Sequence, residues 1–260
     1  MSRCLIDSRL GQVHCIVAGE GAGTPLLLLH QTPRSVDEYA EILPLFARER
    51  RVIAMDTPGY GCSDRVSGQP SIADYAGAAI DVLDVLGIER ATVVGHHTGA
   101  VIAIEMAAAF AARVDRVVLS GPVYTDAAGR EELRRFFKQW TVAPDGSHLL
   151  EKWTRMHQWL PRPELVQRLV VDLFRAGGAS EQGHFAVADY RMEERLPSVR
   201  CPALLLFCTR DPFATPERAE PLRQAFAPCR VASIEAGIFA ANEQPERYAQ
   251  AVLDYLRNPP

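Results

Sequence analysis

A chain of 260 residues with 48% hydrophobic and 23% charged composition can bury a sizeable core and fits one large α/β domain better than two small ones. Its formal net charge of −4, with the basic residues scattered, leaves no surface suited to nucleic acid. The opening residues lack the apolar core of a signal peptide and no apolar run approaches a membrane span, so a soluble cytoplasmic protein is expected. Its expected partner is a small-molecule substrate, with no nucleic acid and no membrane, and a homodimer is left open. Short apolar stretches alternate with helical patterns from about residue 13, which predicts a mostly parallel sheet with helices on both faces. Strands are expected over 12–17, 26–30, 51–55, 91–95, 116–120, 203–208 and 230–234, and their Leu, Val and Ile runs read as buried on both faces. Ser71 is placed to cap a helix, and an amphipathic helix is expected over 242–257. From 123 to 195 the alternation stops, and helical, aromatic-rich, basic segments take over. This divides the chain into a core of 1–121 plus 196–260 and an inserted helical lid of 122–195 over the strands' carboxyl ends, where open α/β sheets bind ligands.

Val93-Val94-Gly95-His96-His97-Thr98-Gly99 has the layout Gly-x-nucleophile-x-Gly, with histidine at the nucleophile position. An apolar strand precedes it and an Ala-rich helix follows, so the glycines mark a sharp strand-to-helix turn. The tip residue is expected in a strained backbone conformation that costs on the order of 1 kcal/mol. The six cysteines include no Cys-x-x-Cys pair and read as free, mostly buried thiols; Cys62, in a loop, would need a base and an oxyanion site beside it to act as a nucleophile. A metal site from His30 and His97 lacks a third acidic ligand at motif spacing, so no metal and no other cofactor is expected.

The chain resembles the α/β-hydrolase superfamily over nearly its full length. Leu26-Leu27-Leu28-Leu29-His30-Gln31-Thr32-Pro33 is similar to the strand and oxyanion loop usually written His-Gly-x-Pro, and Asp56-Thr57-Pro58-Gly59-Tyr60-Gly61-Cys62-Ser63 is similar to the Asp-x-x-Gly-x-Gly-x-Ser segment. Phe207-Cys208-Thr209-Arg210-Asp211-Pro212 looks like the loop that carries the triad acid, and Gly237-Ile238 with Glu243-Gln244-Pro245 looks like the final motif with isoleucine where the catalytic histidine stands. The resemblance implies an α/β-hydrolase fold with a helical lid and an oxyanion hole of Thr32 and Thr98 backbone amides, in a site that lacks the Ser and His of the usual triad.

Within that frame His97 is the expected general base or nucleophile, with Asp211 orienting it and Asp126 as the alternative acid. His96 should point away from the pocket as a structural residue. His30 sits where the side chain ties the loop or touches substrate, Gln31 adds an amide beside the oxyanion hole, and Arg34 could clamp a carboxylate. Tyr124, Tyr190, His148, His157 and His184 of the lid are candidate replacements for the missing base, Tyr124 also as a substrate contact. The expected function is therefore a cofactor-free enzyme acting on a small carbonyl compound by hydrolase or lyase chemistry. A catalytically inactive ligand-binding protein with the same pocket is the alternative.

Overall fold

The computed structural model describes residues 1–226 and 228–258; residues 227, 259 and 260, which fall in the expected core segment 196–260, lie outside the described residues. Eight strands form one sheet: β1 (Ser2–Ser8), β2 (Gly11–Ala18), β3 (Leu26–Leu29), β4 (Val52–Met55), β5 (Ala91–His96), β6 (Val114–Ser120), β7 (Ala203–Cys208) and β8 (Cys229–Ile234). Their spatial order is β1-β2-β4-β3-β5-β6-β7-β8, with the β1–β2 and β2–β4 pairs antiparallel and the other pairs parallel. This is the α/β-hydrolase fold that the sequence led us to expect.

The period-2 rule explains how so few residues build two cores. Leu27 and Leu29, Ile53 and Met55, and Leu205 and Phe207 enter the cluster on one face, while Leu26 and Leu28, Val52 and Ala54, and Leu204 and Leu206 enter the cluster on the other. Each fully buried Leu or Ile contributes about 1.5–3 kcal/mol of transfer free energy, so both faces hold the sheet firmly beneath the site. The first face is covered by α2 (Ile72–Val85) and α3 (Thr98–Ala109), the second by α1 (Leu43–Ala47) and the C-terminal helix. Ser71 and Asp74 form a reciprocal capping box at the start of α2.

Two elements differ from the sequence expectation. Strand β1 was not anticipated because it is an edge strand in which only Ile6 is buried, so it carries no apolar run. The expected helix over 242–257 is two pieces, broken at Gln244 (φ −137°, ψ 58°), because the residue before Pro245 is pushed out of the α region.

Between β6 and β7 lie five helices, α4 (Ala127–Phe136), α5 (Ser147–Trp159), α6 (Pro163–Ala176), α7 (Gln182–Asp189) and α8 (Met192–Arg195). Helices α9 (Glu220–Ala225), α10 (Ala240–Glu243) and α11 (Pro245–Arg257) complete the chain. The inserted segment is tied down by ion pairs: Arg195 from α8 forks onto buried Glu105 of α3 at 2.9 and 3.0 Å, and Asp172 of α6 takes Arg34 at 3.0 Å and the Ser35 hydroxyl at 2.8 Å. No helix among the described residues is long and apolar enough to cross a membrane.

Candidate active site

The turn between β5 and α3 is a close meeting of backbones. A Cβ on Gly95 would lie 2.2 Å from the Gly99 carbonyl oxygen, and one on Gly99 would lie 1.9 Å from that of Leu29. Any other residue at either place would force the elements apart. At the tip stands His97 with φ 46° and ψ −110°, the one non-glycine residue with positive φ among those described. Such strain costs on the order of 1–3 kcal/mol and persists where the surroundings over-determine it.

The His97 ring lies against Gly121, which follows β6. A Cβ there would be 2.6 Å from Cδ2 and 2.7 Å from Nε2, so glycine at 121 makes the room that an imidazole at 97 requires. Across that space Nε2 of His97 meets Asp211 Oδ2 at 2.8 Å. A carboxylate only accepts, so Nε2 carries the hydrogen and Nδ1 is left with its lone pair. Asp211 is buried, and its second oxygen Oδ1 accepts the Phe213 amide at 2.9 Å and the Ala214 amide at 3.3 Å. Burial alone would raise its pKa, but the His97 imidazole and these donors outweigh burial and hold the carboxyl below its ordinary range. Asp126, the alternative acid, caps α4 through the Gly129 amide at 2.9 Å and is exposed, so it takes no part here.

His96 is buried behind this pair. Nε2–H donates to the Ile238 carbonyl at 2.9 Å and Nδ1 accepts from the Ser120 hydroxyl at 2.8 Å. Burial first and the neighbouring His97 charge second push its pKa down to about 3, so it stays neutral and structural.

A cavity of about 180 Å³ opens above His97 and is lined by Gln31, Thr32, Thr98 and Ile238 on the core side and by Phe136, Phe137 and Trp159 among others on the helical side. Among the described residues neither the Thr32 nor the Thr98 backbone amide donates to another group, and both residues line the cavity. Ile238 fills the place beside Asp211's loop with an apolar side chain, while its carbonyl also takes the Gln31 side-chain amide at 3.0 Å.

Several expected substrate contacts are committed elsewhere. His30 Nδ1–H donates to the Gln31 carbonyl at 2.8 Å and Nε2 accepts the Thr57 amide at 2.9 Å, which uses the whole ring to tie the loop and corrects its reading as a substrate contact. Arg34 does not offer a free fork either: its nitrogens go to Asp172 at 3.0 Å, Asn242 at 3.1 Å and Asp37 at 3.2 Å. Tyr124 packs against the core and is absent from the cavity wall, where Val123 stands instead. Gln31 lines the cavity with one side-chain N–H already engaged.

Sequence reasoning missed Gly121 and Glu38. Gly121 was legible only as a glycine just after a strand, and its role depends on a ring from another strand. Glu38 is buried and accepts the Gln31 amide at 3.1 Å; burial, opposed by Arg34, pushes its pKa up to about 7. His14 of β2 forms a His/Asp/Cys cluster with Asp56 and Cys62 outside this cavity, already filled by hydrogen bonds from Val36, Cys62 and Arg175.

A profile of the family described as alpha/beta hydrolase fold matches residues 24–237. A fluoroacetate dehalogenase from a Burkholderia species is 36% identical over 102 residues, covering 37% of this chain and 33% of that protein. An (E)-2-((N-methylformamido)methylene)succinate hydrolase from Acinetobacter baylyi is 25% identical over 207 residues, covering 76% of each. The match to the first four curated relatives spans only 33% to 49% of their own length. Among solved structures, the enol-lactonase from Burkholderia xenovorans superposes with a TM-score of 0.77 at 22% identity, over 98% of this chain and 100% of that one, a likeness of fold.

Proposed function

The chain belongs to the α/β hydrolase fold family, and from that premise we propose that it is a cofactor-free hydrolase of a small carbonyl compound in which His97, oriented by Asp211, is the general base. The observation that carries this reading is the 2.8 Å bond between His97 Nε2 and Asp211, on a ring that lines the cavity and whose Nδ1 keeps its lone pair. The imidazole has taken over the nucleophile's place in the triad and kept the histidine's acid partner, so the Ser of the usual site is lost but a His–Asp pair is not.

Nδ1 accepts a proton from water, the water oxygen attacks the substrate carbonyl, and the amides of Thr32 and Thr98 hold the oxyanion. Direct acylation of Nδ1 would occupy the very atom needed as base for the next step, which favours water attack. The helical segment 122–195 acts as the lid that closes over substrate. Relatives named as hydrolases of small carbonyl compounds support hydrolysis ahead of elimination.

The test is turnover of a panel of aryl esters, thioesters and enol lactones near neutral pH by wild type and by His97→Ala. Turnover that collapses in the variant supports the reading; turnover equal in both overturns it. The apolar wall and Ile238 favour one other reading, a ligand-binding protein, to which binding of the same compounds without turnover by either protein would point.

A further inference from the structure

A second histidine–carboxylate pair presents its histidine to the cavity. His184, on α7, lines the same cavity as His97, Thr32 and Thr98. Its Nδ1 lies 2.7 Å from Glu181 Oε2, with the two side chains 17% and 12% exposed. The ring is stacked on Phe137 with centroids 3.6 Å apart and planes 11° apart, so its orientation is set by packing as well as by Glu181.

The start of α7 is also seated directly on the oxyanion loop. A Cβ on Gly183 would fall 2.0 Å from Thr32 Oγ1, and the Gly183 amide donates to the Tyr60 hydroxyl at 2.7 Å. His184 is the next residue. Its position is therefore coupled to Thr32, one of the two oxyanion donors, and Glu181 occupies Nδ1 so that Nε2 is the nitrogen left for a ligand.

We propose that His184, held by Glu181, is the general acid that protonates the leaving group across the cavity from His97, an inference that rests on the hydrolase reading above. The sequence of events balances. His97 Nδ1 takes a proton from water as the water oxygen bonds to the carbonyl carbon, and the carbonyl electron pair moves onto the oxygen held by Thr32 and Thr98. When that pair returns, the bond from carbon to the leaving oxygen breaks, and the departing oxygen takes the proton from Nε2 of doubly protonated His184. The proton on His97 is released to solvent and His184 is reprotonated from solvent, so one ester and one water give one acid and one alcohol. Two separate imidazoles thereby divide the base and acid duties that one histidine performs in sequence in a Ser-His-Asp relay.

Leaving-group dependence separates an acid from a packing residue. A 4-nitrophenyl ester leaves as a stable anion and needs no proton, whereas the ethyl ester of the same acid does. His184→Ala and His184→Gln should lower kcat/KM for the ethyl ester about 100-fold more than for the 4-nitrophenyl ester, the span expected for loss of a general acid. His97→Ala should lose both. Equal losses on the two esters in the His184 variants, or none, would overturn the acid role while leaving the His97 reading intact. If wild type cleaves neither ester, the hydrolase reading fails by itself, and the shared site is then judged by histidine side-chain NMR with benzoate as probe. Benzoate that shifts both His97 and His184 sustains their joint placement on one ligand; a shift confined to His97, or no shift, overturns it.

Discussion

Asp211→Asn is the substitution whose outcome the geometry determines most sharply. In the native site Oδ1 accepts the amides of Phe213 at 2.9 Å and Ala214 at 3.3 Å, and Oδ2 accepts His97 Nε2–H at 2.8 Å. An asparagine has one oxygen and one NH2 to fit into these places. Turning NH2 towards the two backbone amides would abandon two hydrogen bonds, each leaving a buried group unsatisfied at about 1–3 kcal/mol. The oxygen therefore stays with the amides and the NH2 faces His97. Nε2 must then accept, the ring hydrogen moves to Nδ1, and the atom needed as base is capped. The expected loss in kcat/KM is on the order of 10⁴, the size associated with a wrong tautomer in a Ser-His-Asp relay, or about 5 kcal/mol of transition-state stabilisation. The assay is kcat/KM on the best ester of the panel, with far-UV circular dichroism to establish the fold and ¹⁵N-histidine NMR to read the tautomer. Wild-type kcat/KM in Asp211→Asn with the tautomer reversed would refute the reasoning.

Gly121→Ala places a methyl 2.6 Å from His97 Cδ2 on a backbone with φ 55°, so the ring must retreat by about 1 Å to reach ordinary contact. That displacement breaks the bond to Asp211 and should lower kcat/KM by about 100-fold, with about 1–2 kcal/mol lost to backbone strain, read by kinetics and urea unfolding. Asp172→Ala removes one partner of buried Arg34 and the acceptor of Ser35, and should destabilise the fold by about 3 kcal/mol, visible as a lower urea midpoint; an unchanged midpoint would contradict the buried pair. Glu38 has its folded-state pKa raised to about 7, so it contributes most to stability below its unfolded value and loses that contribution as pH rises through 7. The stability of Glu38→Gln relative to wild type should therefore improve as pH goes from about 5 to 8, the window set by the two pKa values; a difference that does not vary with pH would contradict it.

The fold was readable because strands buried on both faces announce themselves as unbroken apolar runs, as Leu26–Leu29 and Ala203–Cys208 do. Strand β1 escaped because an exposed edge needs no such run. At the site, His97 stood out through the spacing of its flanking glycines, and Asp211 through the resemblance of its loop to the one that carries the acid in α/β hydrolases. What Arg34 and His30 do was not legible for the opposite reason: their partners, Asp172, Asn242 and Thr57, come from distant parts of the chain, and the side chains' commitments exist only after folding. Gly121 and the Glu181–His184 pair likewise gain meaning only from what α3 and the inserted helices bring against them.

The central claim is that the His97 imidazole is the group that removes the proton, and chemical rescue tests it most directly. His97→Ala should leave a space above Asp211 and have little turnover of the best ester. Added imidazole should restore turnover in proportion to its concentration in that variant, and should do nothing for Asp211→Asn. A His97→Ala protein that turns over the ester at the wild-type rate without imidazole would contradict the account.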